Sequence, residues 1–286
     1  MEKQRYAINS VYWATTYICN PNQHFPLNNR MELIFQYDID RLKAYSTHKH
    51  NNISIIHGEN YTSLAFPEVD YFNYVIQTQD KLLGKNDLEC IKAFYEDNGI
   101  SKHQIILSDI DTDSETKFNL NRNGYSFKKS FSQTFITPTT LIDNQVSAEV
   151  SFIEVTNSNI DLFTSLYLKG FDAHGRDVRK VSANFNTLLN NSKFNLILIK
   201  YGDIFVGINV LYQNNNESLL AGGAIIPEYR NKGLHKAGLN FRIQKALAQN
   251  SNKITAFAYD NTVSLQNMFK VRMVLMKRFN IYEYNK

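Results

Sequence analysis

The chain has 286 residues, room for two domains of ordinary size, and its 43% hydrophobic and 13% aromatic content excludes an intrinsically disordered chain. Lys plus Arg number 31 against 27 Asp plus Glu, and a net charge of +4 is too thin to announce a nucleic-acid partner. No run nears the roughly 18 apolar residues of a membrane span, Met1 to Arg5 lead into no signal-peptide core, and Cys19 and Cys90 have neither metal nor redox spacing, which together predict a cytoplasmic protein.

In chain order, Tyr71–Gln77 reads as a strand, and Asn86 as the cap of a helix over Asp87–Asn98. Leu88, Ile91 and Phe94 or Tyr95 share a face of that helix, and Gly99 stops it. A strand over His103–Ser108, a helix over Ser114–Asn123 and a strand over Tyr125–Ile136, entered through Gly124, follow. Residues 132–148 read as a joint: Thr137-Pro138-Thr139-Thr140 ends the strand, and polar Asp143-Asn144-Gln145 precedes a new one. The expected division is 1–140 and 149–286, packed together because the joint has no Gly/Ser-rich or Pro-rich tract.

The second half opens with a strand at Val150–Val155 and helices over Ile160–Leu168 and Val178–Leu189, separated by the polar loop 170–177. Three strands follow, Phe194–Lys200, Ile204–Tyr212 and Ser218–Ile226, the last two joined by a hairpin at Asn214-Asn215-Asn216. After Pro227 the chain turns through Arg230 to Gly233 into a helix reaching about Gln249. A strand (Lys253–Tyr259), a short helix (Val263–Val271) and a strand (Val274–Tyr284) complete it. The fold class is α+β. Strand-helix-strand-helix-strand occurs twice, about 150 residues apart, which a duplication explains and which two unrelated α+β domains would also produce.

The stretch from Leu219 to Leu239 carries the chemistry: a buried strand, a tight turn holding Gly233, and a helix. Such a turn leaves backbone N–H groups unpaired at the positive end of a helix dipole, which suits a phosphate or pyrophosphate. Gly233 lets the backbone approach an anion, and Arg230, Lys232 and Lys236 add positive charge. Gly222-Gly223 in mid-strand is costly unless the strand bulges or something lies against its backbone. An ordinary strand-to-helix turn with a packing glycine would read the same way.

Pro227-Glu228-Tyr229-Arg230-Asn231-Lys232-Gly233-Leu234, after a strand and before a helix, resembles the acyl-coenzyme A loop of the GNAT N-acetyltransferase superfamily. The family pattern is Arg/Gln-x-x-Gly-x-Gly/Ala; here it is Arg230-x-x-Gly233-x-His235, with a bulky His at the last place. The element order of residues 150–286 also resembles the family's, and Asn261-Thr262-Val263-Ser264 stands where relatives carry Asn-x-x-Ser/Ala. The resemblance implies a mixed sheet flanked by helices, with the first half a degenerate, accessory GNAT-like domain.

It further implies a wedge between splayed strands near Ile225 and Tyr259, where the pantetheine arm of acetyl-CoA would pair with Gly223, Ala224 and Ile225. The pyrophosphate would sit on the N–H groups of Asn231, Lys232, Gly233, Leu234, His235 and Lys236, and Asn261 would bond the pantetheine or orient the loop. The implied reaction is direct attack by a primary amine of a small molecule, amino acid or peptide, with no metal and no covalent enzyme intermediate. Many relatives place a proton-donating Tyr seven residues after that Asn; here the place holds Met268, so Tyr259, Tyr282, Tyr284 or water must serve. Candidate bases are His174, with Asp172 or Asp177 to orient it, and Glu217. His48-Lys49-His50 reads as a surface loop. The thin charge and the short apolar runs predict no nucleic-acid or membrane partner, and a homodimer stays open. A non-catalytic CoA-ester sensor is the competing reading, because of Met268 and His235.

Overall fold

A computed structural model of the chain describes residues 31–78, 83–138 and 148–285. The amino-terminal pentapeptide, the segment 79–82 and residues 139–147 of the expected joint lie outside the described residues. The elements are α1 (Leu33–Tyr45), β1 (Ser54–His57), β2 (Tyr61–Ala65), β3 (Tyr74–Gln77), α2 (Lys85–Asp97), β4 (Lys102–Ser108), α3 (Ser114–Arg122) and β5 (Tyr125–Ile136). Then come β6 (Val150–Glu154), α4 (Ile160–Gly170), α5 (Val178–Leu189), β7 (Phe194–Tyr201), β8 (Ile204–Asn214) and β9 (Glu217–Ile225). The last are α6 (Leu234–Ala248), β10 (Lys253–Tyr259), α7 (Val263–Lys270) and β11 (Val274–Asn285).

All eleven strands form one mixed sheet in the order β1-β2-β3-β4-β11-β5-β10-β9-β8-β7-β6. The period-2 alternation of β4, β5, β10 and β11 sends apolar side chains to both faces, so each face needs a cover. Phe131, Phe279 and Ile281 join the core with residues of α1, α4 and α5. Ile254, Ala256 and Ala258 pack with residues of α6 and α7, and Ile105, Leu107 and Tyr282 with residues of α2 and α3.

The centre of the sheet holds an exchange. β4 pairs antiparallel with β11, the last strand of the second half, and β10 pairs antiparallel with β5, the last strand of the first. β5 and β11 pair with each other. Asp109 N–H bonds the Arg278 carbonyl after β4, and Asp260 N–H bonds the Ser130 carbonyl after β10, the same contact made twice. Phe131 and Phe279 are register partners, stacked with ring centroids 4.9 Å apart on the axis relating the two motifs. Each half therefore completes the other's sheet.

The expected elements of the second half are all present, those at Val178–Leu189 and Lys253–Tyr259 with unchanged bounds. Three readings of the first half are corrected. Helix α1 and strands β1 and β2 were not anticipated. Gly84, not Asn86, caps α2, and Asp87 accepts its N–H at 2.9 Å. Cys90 is disulfide-bonded, which its spacing in the sequence did not suggest. His48 bonds the Ala183 carbonyl from an otherwise exposed turn, which agrees with the surface-loop reading. Among the described residues, no helix is long and apolar enough to cross a membrane.

Candidate functional site

The site begins where a parallel pair opens. β9 and β10 are in register from Glu217↔Lys253 to Leu220↔Ala256, and the pairing stops there. Beyond it β9 remains bonded to β8 through Ile225, and β10 to β5 through Tyr259, so the two strands diverge. The wedge expected near Ile225 and Tyr259 is present.

A bulge sets its geometry. Asn209 opposes Gly223 and Leu211 opposes Leu220, so Val210 faces two residues, Ala221 and Gly222. Arg242 of α6, only 1% exposed, answers the disturbed backbone: its Nη1 donates to the carbonyls of Val210 (3.2 Å) and Gly222 (2.9 Å), and its Nε to Gly238 (3.1 Å). Burial pushes its guanidinium down to about 9, still charged at neutral pH. A Cβ at Gly223 would lie 2.7 Å from Arg242 Nη2, so Gly223 makes room for a buried cation as well as serving the bulge. The sequence reading anticipated the bulge and missed Arg242.

From the bulge the chain runs through a turn at Pro227–Tyr229 to α6. Asn231 (φ 64°) and Gly233 (φ 75°) adopt left-handed backbone, and Gly233 is the N-cap with no side-chain cap bond. The helical ladder starts with Ala237 N–H to the Gly233 carbonyl, so the N–H groups of Leu234, His235 and Lys236 have no partner within the helix. A Cβ at Gly233 would have no neighbour within 4 Å, so the space above the turn is open. Lys232 lies beside the rings of Tyr201 and Tyr229, 5.4 and 5.3 Å from their centroids. Arg230 serves differently from the expectation: its Nε donates to the Ile225 carbonyl (3.1 Å) and its Nη2 to the Gly170 carbonyl (3.0 Å), so it staples the turn to the wedge and to α4. Half-buried His235 faces Asn267, Nδ1 to Nδ2 at 3.3 Å, and burial, with Arg242 nearby, holds its pKa down to about 4. Bulge, wedge, bare amides and open space fit the phosphate and pantetheine portions of a CoA thioester.

On the face covered by α1, a cavity of about 270 Å³ lies beside the wedge. β10 supplies Phe257 and Tyr259, β5 Phe131, Lys128 and Lys129, and β11 Glu283. Asp38 on α1 and Tyr74 on β3 form its inner wall. Asp38 is 1% exposed; it bonds Arg41 Nη1 at 3.2 Å and accepts from Tyr74 Oη at 2.8 Å. Burial raises its pKa even against the neighbouring Arg41. The cavity needs both halves, and no sequence motif marked it.

Of the expected catalytic residues, the structure brings only Tyr259 to this cavity; it is 41% exposed, with Lys129 Nζ 3.5 Å from its ring centroid. His174 sits in an exposed turn, 4.0 Å from Asp172, which in turn lies 3.7 Å from Arg230. Asp177 caps α5. Glu217 pairs with Lys253 at 3.6 Å at the closed end of the wedge, six residues or about 20 Å along the strand from Gly223. Tyr282 and Tyr284 pack toward α2 and α3, on the face opposite the cavity. Met268 is buried against α6 and β10. Asn261 (φ 62°) follows β10, and Thr262 beside it caps α7.

No protein-family model matches the chain, and no curated protein matches it. Among solved structures it is similar to a GCN5-related N-acetyltransferase from Kribbella flavida: TM-score 0.64, 10% identity, 90% of this chain and 97% of that one covered. It is similar to a conserved protein of unknown function from Staphylococcus epidermidis: TM-score 0.63, 13% identity, 84% and 96% covered. It is also similar to a tandem GNAT protein from the clavulanic acid biosynthesis pathway: TM-score 0.58, 8% identity, 80% and 81% covered.

Proposed function

From the GCN5-related N-acetyltransferase fold that this chain has, we propose that it is an N-acyltransferase moving an acetyl group from acetyl-CoA to a primary amine of a small molecule. The observation that carries the reading is the wedge itself: a bulged, splayed parallel pair running into a helix with bare N-terminal amides. Residues 149–286 bind the thioester, and residues 1–140 supply α1 and much of the acceptor cavity.

Acetyl-CoA supplies an activated acyl carbon; the amine nitrogen bonds to it as the C–S bond breaks, and the thiolate departs. The amides of Leu234, His235 and Lys236 bind the diphosphate, with Lys232 adding charge at the rim. Gly223, Ala224 and Ile225, held by Arg242 and Arg230, present strand backbone to the pantetheine and to the developing oxyanion. Tyr259, at the junction of wedge and cavity, is the side chain placed to protonate the thiolate, recovering its proton from solvent. The amine's surplus proton leaves through the open side of the cavity.

The buried Met268 at the usual acid position favours one other reading, a non-catalytic CoA-ester sensor. Thiol release from acetyl-CoA across a panel of amines separates the two. Release that requires an amine supports the transferase; thermal stabilisation by CoA with no release under any acceptor supports the sensor.

A further inference from the structure

We propose that the acceptor is a small amine whose amine-bearing carbon also carries a carboxylate, and that Lys129 binds that carboxylate beside Tyr259, at the edge of the wedge. This deepens the transferase reading and rests on it for the role of the cavity, though not for the binding of the acid itself.

Size comes first. About 270 Å³ lies below the roughly 300–1,000 Å³ typical of sites for drug-sized ligands, so the cavity suits a molecule of amino-acid size. Charge comes second. Glu283 takes Lys102 at 3.2 Å, Gln104 at 3.1 Å, and Lys128. Asp38 is matched by Arg41. Among the described residues Lys129 makes no ion pair; its ammonium rests on the Tyr259 ring, a contact that orients a cation without neutralising it. A half-buried ammonium beside aromatic walls interacts strongly with an incoming anion, because water screens it poorly there.

Position comes third. Phe131 is the register partner of Tyr259, the last residue of β10, and Lys129 lies two residues further along the same face of β5. Lys129 therefore stands just past the end of β10, beside Tyr259, at the edge that the wedge shares with the cavity. An acceptor whose amine reaches the wedge beside Tyr259 while its anionic group meets Lys129 carries the two groups close together, as on the single carbon of an α-amino acid. The remainder of the molecule extends toward β11, into the body of the cavity.

The test is a calorimetric titration of the full chain with the twenty L-amino acids and with their carboxamides, repeated on Lys129→Met and Lys129→Arg. A charge-assisted hydrogen bond supports the expectation that at least one acid binds on the order of tenfold or more tighter than its amide. Lys129→Met should bind that acid and its amide alike, Lys129→Arg should restore the preference, and both should keep the parent melting temperature and CoA affinity. Equal binding of acid and amide by the parent protein overturns the proposal, as does a preference that survives Lys129→Met. Absence of any amino-acid binding by protein that binds CoA also overturns it. Loss of CoA binding with the acid preference intact would instead remove the transferase reading and leave the carboxylate site standing.

Discussion

Replacing Gly233 with valine isolates the amide cradle. Gly233 holds φ 75° as the N-cap of α6, and a Cβ there meets nothing within 4 Å, so the substitution introduces no clash. Its whole cost is backbone conformation: a β-branched residue in the left-handed region loses about 1–3 kcal/mol. For a chain of this size that is a fall in Tm of about 2–10 °C, which leaves the protein folded at room temperature. If the backbone instead relaxes toward negative φ, the N–H groups of Leu234 to Lys236 turn away from their common focus. Each hydrogen bond lost to a charged phosphate costs about 1.5–3 kcal/mol, so CoA affinity should fall on the order of 10- to 100-fold or more. Alanine should lie between glycine and valine. Calorimetric titration of CoA into all three proteins, with a melting curve for each, measures both quantities. Folded Gly233→Val with undiminished affinity would refute the assignment of these amides.

The other predictions concern the acid, the buried cation, one buried histidine and the exchanged strand. Tyr259→Phe should lower kcat on the order of 100-fold with little change in CoA affinity, and unchanged turnover would remove Tyr259 as proton donor. Arg242→Met strips the buried carbonyls of Val210, Gly222 and Gly238 of a donor; urea unfolding should show a loss of about 3 kcal/mol or more, and a loss under about 1 kcal/mol would contradict its role at the bulge. His103, pushed down to about 4 by burial and the nearby Lys92, is neutral in the fold but takes a proton near pH 6.5 when unfolded. Its stabilising contribution is thus complete above pH 6.5 and declines as pH falls toward 4, by about 3 kcal/mol in all; His103→Phe should make that stretch of the stability curve shallower, leaving the share of His235, and an unchanged slope would exclude it. Deleting residues 274–285 removes the strand between β4 and β5, so both halves should lose cooperative unfolding; a sharp transition surviving in either would contradict the exchange.

What the sequence disclosed and what it hid have separate physical causes. The second half was readable because its elements are bounded by local chemistry: Asp177 caps α5, Gly233 opens α6, and Pro227 ends the run of β9. Gly222-Gly223 was legible as a bulge because two adjacent glycines in a strand have few other uses. Helix α1 escaped because Ile34, Phe35, Tyr37, Asp38, Ile39, Arg41 and Leu42 are all buried, which erases the one-sided stripe of an amphipathic helix. Strand β2 is buried at every position, so it shows no alternation either. The exchange of β5 and β11 leaves no local trace: each reads as a strand, and its neighbour is chosen by packing between distant segments. The cavity was hidden for the same reason, since Asp38, Lys129 and Tyr259 meet only after that exchange.

The central claim, that a nucleotide thioester carrier is gripped at the start of α6, is tested most directly by following backbone amide resonances of isotopically labelled protein as CoA is added. The account predicts the largest shifts at Gly233 to Lys236, with a second group at Gly223 to Ile225 along the wedge. Shifts centred on the corresponding turn of the first half, at Gly84 and the start of α2, or none at millimolar CoA, would contradict it.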